Sequence, residues 1–325
     1  MTTIGVTGAG GFIGATLIER ALEEGHEVRG LDVSEEAADR VRKMGADVVV
    51  GDVRDEASVR EFCDGCDVVV HTAAIVGEGG DMSLYRAVNV EGSRNVARAA
   101  AEGGVERMIH FSSVMVYGFD FPPEVDESGP LSGEGNAYCQ TKIESEEAVL
   151  SVHGEGDLEV TVVRPGDVYG PGSQPWVVRP LEMMKAGLFM VPDGGEGRID
   201  ATYVDNLVDA VFLLLDSDRT GEVFNVTDGV ALKARDYFTH LARMLGSDSV
   251  PTAPSWLLRP LFKAVAAAFR LVGKEPPATP DAINFLTKPH GYSTEKIRSV
   301  GHEPAIDIDE GMRRVEAWAE DEGLL

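Results

Sequence analysis

Thr7-Gly8-Ala9-Gly10-Gly11-Phe12-Ile13-Gly14 is the stretch on which the reading of this chain turns. It directly follows a short apolar run, Ile4–Val6, that reads as a strand, and it opens a stretch with helical spacing, Phe12–Glu24. Glycines at such a junction permit a tight turn and let the backbone approach a pyrophosphate closely. The N-terminus of the following helix then presents free N–H groups and a positive dipole end to that anion. A glycine pattern by itself carries little weight, but here the strand before and the helix after supply the required context.

Working outward, a second strand, Glu27–Leu31, runs to Asp32, 18 residues past Gly14. A carboxylate at that point binds both hydroxyls of an adenosine ribose and repels a 2′-phosphate. The next residues are Val33 and Ser34 rather than Arg or Lys, so the expected cofactor is NAD and not NADP. Read without the glycines, Asp32 would be no more than a turn residue ending a strand. Further strands are expected at Val48–Val50, Val68–His71, Met108–Ser112 and Val160–Val163. Helices are expected at Glu35–Met44, Ala57–Cys63, Leu84–Glu102 and Ala137–Val152. Such alternation predicts an α/β fold with a doubly wound parallel sheet and helices on both faces. From about Gly166 prolines interrupt shorter elements, and from about 230 the chain reads as mostly helical. The expected division is therefore a nucleotide-binding domain over 1–165 and a smaller, mainly substrate-binding region over 166–325, with the strand Glu222–Val226 returning to the first domain.

Bulk composition narrows the function classes. The chain of 325 residues carries 55 acidic against 29 basic side chains, a net charge of −26. That field repels nucleic acid and anionic surfaces in general. Only 8 of the basic residues are Lys, beside 21 Arg, and an acid-rich, Lys-poor composition points to a high-salt habitat where screening removes self-repulsion. The three cysteines, Cys63, Cys66 and Cys139, form no disulfide framework. The C-x-x-C spacing of the first two lacks a second ligand pair, so no metal is expected. The first 18 residues are free of formal charge, but their glycines and the lack of a basic start argue for a strand and turn rather than a signal peptide. A cytoplasmic location follows as the expectation.

One segment departs from the acidic trend: Pro251–Val300 has seven basic residues against three acidic. Within it Trp256–Val272 is apolar except for Arg259, Lys263 and Arg270, which share one helical face. An amphipathic helix covering the core accounts for this pattern. A surface for an apolar or anionic substrate, or for peripheral membrane contact through 256–272, also accounts for it. Three charges exclude an ordinary spanning helix.

The chemistry-bearing residues come next. Tyr138 and Lys142 open a predicted helix at i and i+4, on one face. A free tyrosine, with a pKa of about 10, is a poor base at neutral pH. A neighbouring ammonium and a positively charged nicotinamide both favour phenolate and are expected to lower that value. Ser113 falls at the carboxyl end of a predicted strand, where parallel sheets place their chemistry. Its hydroxyl is suited to hold a substrate oxygen while Tyr138 moves the proton.

Taken together these features resemble the extended short-chain dehydrogenases/reductases, the NAD-dependent epimerase/dehydratase superfamily. The resemblance spans essentially the whole chain. It rests on the glycine run at 7–14, Asp32, Asp52-Val53, His71-Thr72-Ala73-Ala74 and Asn89-Val90-Glu91-Gly92. It continues through Ser112-Ser113, Val116-Tyr117-Gly118, Tyr138/Lys142 and Arg164-Pro165-Gly166-Asp167-Val168-Tyr169-Gly170-Pro171-Gly172. It implies a Rossmann domain with Ser113, Tyr138 and Lys142 catalytic, Lys142 also binding the nicotinamide ribose, and Asp52-Val53 facing adenine. The implied cofactor set is Gly8, Gly11, Phe12, Ile13, Gly14, Asp32, Asp52, Val53, Ala73, Tyr138, Lys142 and Pro165. Asn89 would support a helix or a proton relay. A homodimer through helices that include the one bearing Tyr138 is implied as well.

Departures from the best-known members indicate the branch. Val114 and Met115 stand where sugar-nucleotide dehydratases carry Asp-Glu, and Asp167 follows Arg164 where many nucleotide-sugar enzymes carry Asn. Arg164-Pro165-Gly166 and Gly197 through Asn206 are more similar to 3β-hydroxysteroid dehydrogenases and dihydroflavonol reductases. The expected activity is therefore NAD-dependent hydride transfer at a secondary alcohol or ketone of a bulky apolar small molecule. Nucleotide-sugar epimerisation is the alternative, since Arg198 matches a phosphate-binding arginine of those enzymes, although it would equally suit a salt bridge before Tyr203. A non-catalytic NAD-binding scaffold is a further alternative, and the intact Ser113, Tyr138 and Lys142 argue against it.

Overall fold

The computed structural model describes residues 2–77, 81–133, 135–271 and 280–325. The opening run forms β1 (Thr3–Thr7), the glycine turn and α1 (Phe12–Glu23). The alternation then continues through β2 (Glu27–Asp32), α2 (Glu35–Met44), β3 (Asp47–Val50), α3 (Glu56–Cys63) and β4 (Val68–His71). α4 (Met82–Tyr85) and α5 (Ser93–Gly103) precede β5 (Arg107–Phe111), and α6 (Ala137–Leu150) precedes β6 (Glu159–Pro165). β7 (Asp167–Tyr169), α7 (Arg179–Lys185), β8 (Val191–Pro192), β9 (Arg198–Tyr203) and α8 (Val204–Leu215) follow, and then β10 (Val223–Val226) and β11 (Ala231–Lys233). The chain closes with α9 (Ala234–Met244), β12 (Thr252–Ala253), α10 (Ser255–Leu271), α11 (Pro280–Phe285), α12 (Glu295–Val300) and α13 (Ile308–Asp321).

Seven strands form one parallel sheet in the order β10-β6-β5-β4-β1-β2-β3. The doubly wound sheet expected from the alternation is present, and its order reverses between β1 and β4. One face is closed by α1, α2 and α8, around Leu17, Ile18, Val41, Leu207 and Val211. The other is closed by α3, α5 and α6, around Val59, Phe62, Val96, Ala100 and Val149. Such apolar runs, buried on both faces, are what a parallel sheet requires. Beyond β6 a three-stranded sheet, β11-β9-β7, packs with α7, α9 and α13 on a separate core of Tyr169, Leu181, Tyr203, Tyr237 and Val315.

Three local outcomes bear on the site. The helix expected over Leu84–Glu102 is instead α4 and α5 joined by a π-helical stretch, Arg86–Gly92. A π turn admits one extra residue per turn, commonly at functional sites, and here it carries Asn89, whose side chain leaves the helix to bond another segment. Second, α10 buries Leu258 and Ala266 but leaves Trp256 at 74%, Leu257 at 49% and Leu261 at 50% exposure. Only its inner side covers the core. Arg259 and Lys263 are exposed as well, while Val272 and the side chain of Arg270 lie outside the described residues. Third, Cys63 and Cys66 are free and buried, and burial pushes their thiols up to about 12 and about 11. No metal-binding cluster of His, Cys, Asp and Glu occurs among the described residues. None of their helices is long and apolar enough to cross a membrane.

The glycine turn is held by contact as well as by conformation. Gly8 adopts a left-handed φ of +67°, and a Cβ on Gly14 would stand 2.2 Å from the Gly8 carbonyl oxygen. Backbone meeting backbone leaves no side chain to yield. Gly14→Ala is therefore expected to cost about 1–3 kcal/mol through overpacking, more than the ~1 kcal/mol that alanine gains inside a helix. Urea denaturation without nucleotide checks this, and an unchanged midpoint would refute it.

Candidate active site

The carboxyl ends of β1, β2, β4, β5 and β6 lie along one edge of the sheet, at the switch point between β1 and β4. Open α/β sheets bind ligands in that crevice. Thr7, at the end of β1, organises the first part of it. Its hydroxyl meets His71 Nδ1 at 2.6 Å and accepts the Ala73 N–H at 3.2 Å, and its carbonyl accepts the Thr72 hydroxyl at 2.7 Å. Ala73 thereby lies against Gly8, whose hypothetical Cβ would be 3.0 Å from the Ala73 Cα.

Gly11 is exposed and stands at the N-cap of α1 with no side-chain cap. The first N–H groups of α1, at Phe12 and Ile13, thus face an opening that a capping side chain would otherwise fill, and an anion suits it. Asp32 lies across the turn: its Oδ2 accepts the Gly10 N–H and its Oδ1 the Ser34 N–H, both at 2.9 Å. The carboxylate is fixed beside the glycines by these bonds, in reach of a ribose there. Val53 is buried against Gly92 at the start of α5, while Asp52 is held by Arg54 through paired bonds of 2.6–3.0 Å, which keep its carboxyl below the usual range. Pro165 is buried at the end of β6. The residues present fit NAD, with the pyrophosphate on the glycine turn and a ribose on Asp32.

The three residues expected from the sequence to react come from two parts of the chain. Asn136 caps α6 by accepting the N–H groups of Tyr138 and Cys139 at 3.0 and 3.1 Å. This cap fixes where the helix starts and so aims Tyr138 at β5. The Tyr138 phenol is within the influence of Ser113, which follows β5 and whose Oγ accepts the Met115 N–H at 3.2 Å. One turn further on, Lys142 is buried, donates to the Phe111 carbonyl at 2.7 Å, and has its ammonium 5.9 Å from the Tyr138 ring centre. Ser113, Tyr138 and Lys142 thus converge.

The electrostatics differ from the sequence expectation in one respect. Tyr138 stands at about 12, not below 10: desolvation of the phenol dominates, and the Ser113 hydrogen bond offsets only part of it. The Lys142 ammonium is itself pulled down to about 8 by burial, with Glu146 working against that fall. Desolvation therefore dominates at both groups. The phenol is protonated at neutral pH, as an acid should be.

Asn89 neither touches the catalytic side chains nor serves its own helix. Its Oδ1 accepts the Ile75 N–H at 2.7 Å, and its Nδ2 donates to the Ile75 carbonyl and the Thr141 hydroxyl, both at 3.1 Å. It ties the segment after β4 to α6. Among the described residues Arg198 makes no ion pair; it reaches the Ala231 carbonyl at 3.4 Å. Asp167 is committed to the buried Lys288, 3.0 Å away, and accepts the Asp200 N–H. Sequence reasoning missed Glu146, which together with Arg164 and Ser112 forms a buried polar group next to Lys142 and Ser113. Its signal was there to read: Tyr138, Lys142 and Glu146 recur every four residues on one helical face.

Comparison with known proteins agrees with this geometry. The NAD dependent epimerase/dehydratase family matches residues 4–227. A 2-alkyl-3-oxoalkanoate reductase of Stenotrophomonas maltophilia is 31% identical over 96% of this chain and 98% of its own length. A 3-beta-hydroxysteroid dehydrogenase of Mycolicibacterium neoaurum is 29% identical over 94% of this chain and 88% of its own. Among solved structures, MoeE5 in complex with UDP-glucose and NAD superposes with a TM-score of 0.79 at 21% identity, covering 98% of this chain and 99% of that one. The chain is a member of the NAD dependent epimerase/dehydratase family, an NAD-dependent enzyme built on the doubly wound sheet.

Proposed function

We propose that this enzyme transfers a hydride at a secondary alcohol or ketone of a bulky apolar substrate, with Ser113, Tyr138 and Lys142 as its catalytic residues. The observation that carries this reading is the convergence of Ser113, Tyr138 and Lys142 at the carboxyl end of β5, with the Lys142 ammonium 5.9 Å from the centre of the Tyr138 ring. NAD supplies the hydride acceptor or, reduced, the donor when bound. The cradle for it is Gly8, Gly11, Phe12, Ile13, Gly14, Asp32, Asp52, Val53, Ala73 and Pro165, joined by Tyr138 and Lys142. Ser113 holds the substrate oxygen. In reduction Tyr138 gives that oxygen its proton; in oxidation Tyr138 takes the hydroxyl proton, helped by nearby positive charge.

Support for an apolar substrate comes from three sides. The relatives include proteins named as a 2-alkyl-3-oxoalkanoate reductase, a farnesyl-dihydroquinoline-oxide ketoreductase and a 3-beta-hydroxysteroid dehydrogenase. Asp167, where nucleotide-sugar enzymes carry Asn, is a buried carboxylate already paired with Lys288, a poor neighbour for a diphosphate. The exposed apolar side of α10 offers Trp256, Leu257 and Leu261, with Arg259 and Lys263 beside them, as a landing surface for such a molecule or for peripheral contact with a membrane that holds it. Epimerisation of a nucleotide sugar is the second reading, favoured by Arg198, half-buried at the start of β9, and by fold likeness to UDP-sugar-bound structures. Residues 1–165 would serve the nucleotide and 166–325 mainly the substrate. A cytoplasmic homodimer adapted to high salt completes the proposal, in keeping with the charge of −26.

Three measurements test it. Tyr138→Phe is expected to lower kcat by about 10²–10⁴, assayed with NAD and either a 3β-hydroxysteroid or a 2-alkyl-3-hydroxyalkanoate, while calorimetric NAD binding is retained. Turnover of UDP-glucose in place of those two would reverse the preferred reading. Asp32→Ala removes a charged hydrogen-bond partner worth ~1.5–3 kcal/mol, so the Kd for NAD should rise about tenfold or more. Replacing Trp256, Leu257 and Leu261 together by Ser should raise KM for long-chain substrates and leave kcat unchanged; an unaltered KM would remove α10 from the substrate path.

A further inference from the structure

The face of α6 that meets the sheet is polar, which is unusual for a helix packed on a hydrophobic core. Lys142, Ser145 and Glu146 are all buried, at 4%, 0% and 4% exposure. Glu146 receives a bidentate pair from Arg164, Nε to Oε1 at 2.8 Å and Nη2 to Oε2 at 2.6 Å, and a short hydrogen bond from the Ser112 hydroxyl. Arg164 is 2% exposed and turns its remaining nitrogen to the Tyr117 hydroxyl at 2.7 Å and the Glu127 carbonyl at 3.3 Å. Tyr117 in turn donates to Asn225 Oδ1 at 2.8 Å. Three members of this chain adjoin the site: Ser112 precedes Ser113, Arg164 precedes Pro165 of the cofactor cradle, and Glu146 lies one turn beyond Lys142.

Charge explains why a carboxylate sits there. Lys142 and Arg164 are two buried cations, and Glu146 is the one buried carboxylate between them. The other titratable groups packed on Lys142 are His71 from β4 and His110 from β5, stacked 5.4 Å apart. Burial holds both neutral, His71 at about 3 and His110 well below its ordinary value. Tyr138 and, beyond it, Cys139 and Tyr85 are neutral neighbours as well. Nothing else among the described residues around Lys142 supplies negative charge. Arg164 bonds Tyr117 directly, whereas Ser112 is joined to the group only through the Glu146 carboxylate, the one negative charge that supports the Lys142 ammonium.

We propose that Glu146, clamped by Arg164 and Ser112, is a positioning residue that keeps Lys142 an ammonium beside Tyr138. The pair is not a stability device in the first place, because a buried ion pair can be replaced by neutral groups at little cost in folding. Its effect is to hold the carboxylate at a fixed distance from Lys142, so that the ammonium survives burial near neutral pH. The sign follows directly: removing the carboxylate disfavours the charged form of Lys142 and moves its transition to lower pH. The inference rests on the proposed role of Lys142, but it can be measured without turnover.

The test is lysine side-chain NMR of the NAD-loaded protein, with the Lys142 resonance assigned through Lys142→Met. In Glu146→Gln the Lys142 transition is expected to fall by about one pH unit or more, a tenfold rise in acid dissociation. Glu146→Asp, which keeps the charge, should return it most of the way. With a 3β-hydroxysteroid as substrate, the alkaline limb of kcat/KM should move the same way, which a purely structural role would not produce. Glu146→Gln with Arg164→Met removes both charges and covers the case in which the single variant does not fold. There the shift should keep its direction and shrink. A Lys142 transition that stays in place in either folded variant would overturn the proposal, and so would a failure of both variants to fold, which would assign the pair to structure. If the transition moves while Tyr138→Phe stays fully active, the electrostatic inference stands and the proposed catalytic role falls.

Discussion

Seven parallel strands whose order reverses between β1 and β4 put every strand's carboxyl end on one edge and open a crevice there. Almost everything functional in this molecule depends on that constraint. Thr7, Asp32, His71, Ser112 and Ser113, and Arg164 and Pro165 are far apart in the chain, yet each terminates a strand or follows directly after it. The sheet itself needs only apolar residues buried on both faces, which the valine-rich strands provide. The edge is where polar side chains enter the interior, and each must find a partner or carry a penalty of about 1–3 kcal/mol.

The polar groups are arranged in layers, and among the described residues nearly every one of them has a partner, His110 Nδ1 being an exception. His71 bonds Thr7 and Ser93, and His110 bonds Ser145, so the two neutral imidazoles fill space under the catalytic helix without adding charge. Above them lies a charged layer in which Lys142 and Arg164 face Glu146. Uppermost are Tyr138 and Ser113. Burial sets the sign in each layer: it neutralises the histidines, weakens the hold of Lys142 on its proton, and strengthens that of Tyr138. A site arranged in this way is neutral at its reacting tip and cationic just behind it, the arrangement wanted where a negative charge develops on a substrate oxygen.

Much of this was legible before any coordinates. The glycine run with a strand before it and a helix after it, the carboxylate at Asp32, and the four-residue spacing of Tyr138 and Lys142 are local patterns, and local geometry suffices to interpret them. Features of that kind belong to the class a local stretch explains. Asn89 does not: the expectation of one continuous helix over 84–102 missed the π turn that sends its amide to Ile75 and Thr141. Nor did helical periodicity separate the side of α10 that covers the core from the side that faces solvent, since both are apolar. The lowered tyrosine pKa expected from the sequence took account of the ammonium nearby but not of the desolvation that outweighs it.

The sequence by itself determined the class of sheet, the place of the nucleotide turn, the preference for NAD and the four-residue spacing of Tyr138 and Lys142 on one helical face. Each depends on residues within a few positions of one another or on periodicity along a single element. The tertiary structure alone decided which charges are buried together. Glu146 and Arg164 are 18 positions apart and lie on a helix and a strand, Asp167 and Lys288 are 121 apart, and only the closing of the fold brings either pair within hydrogen-bond distance. Desolvation is a property of that closed interior. The protonation states on which the chemistry depends therefore have no counterpart in any local stretch of sequence.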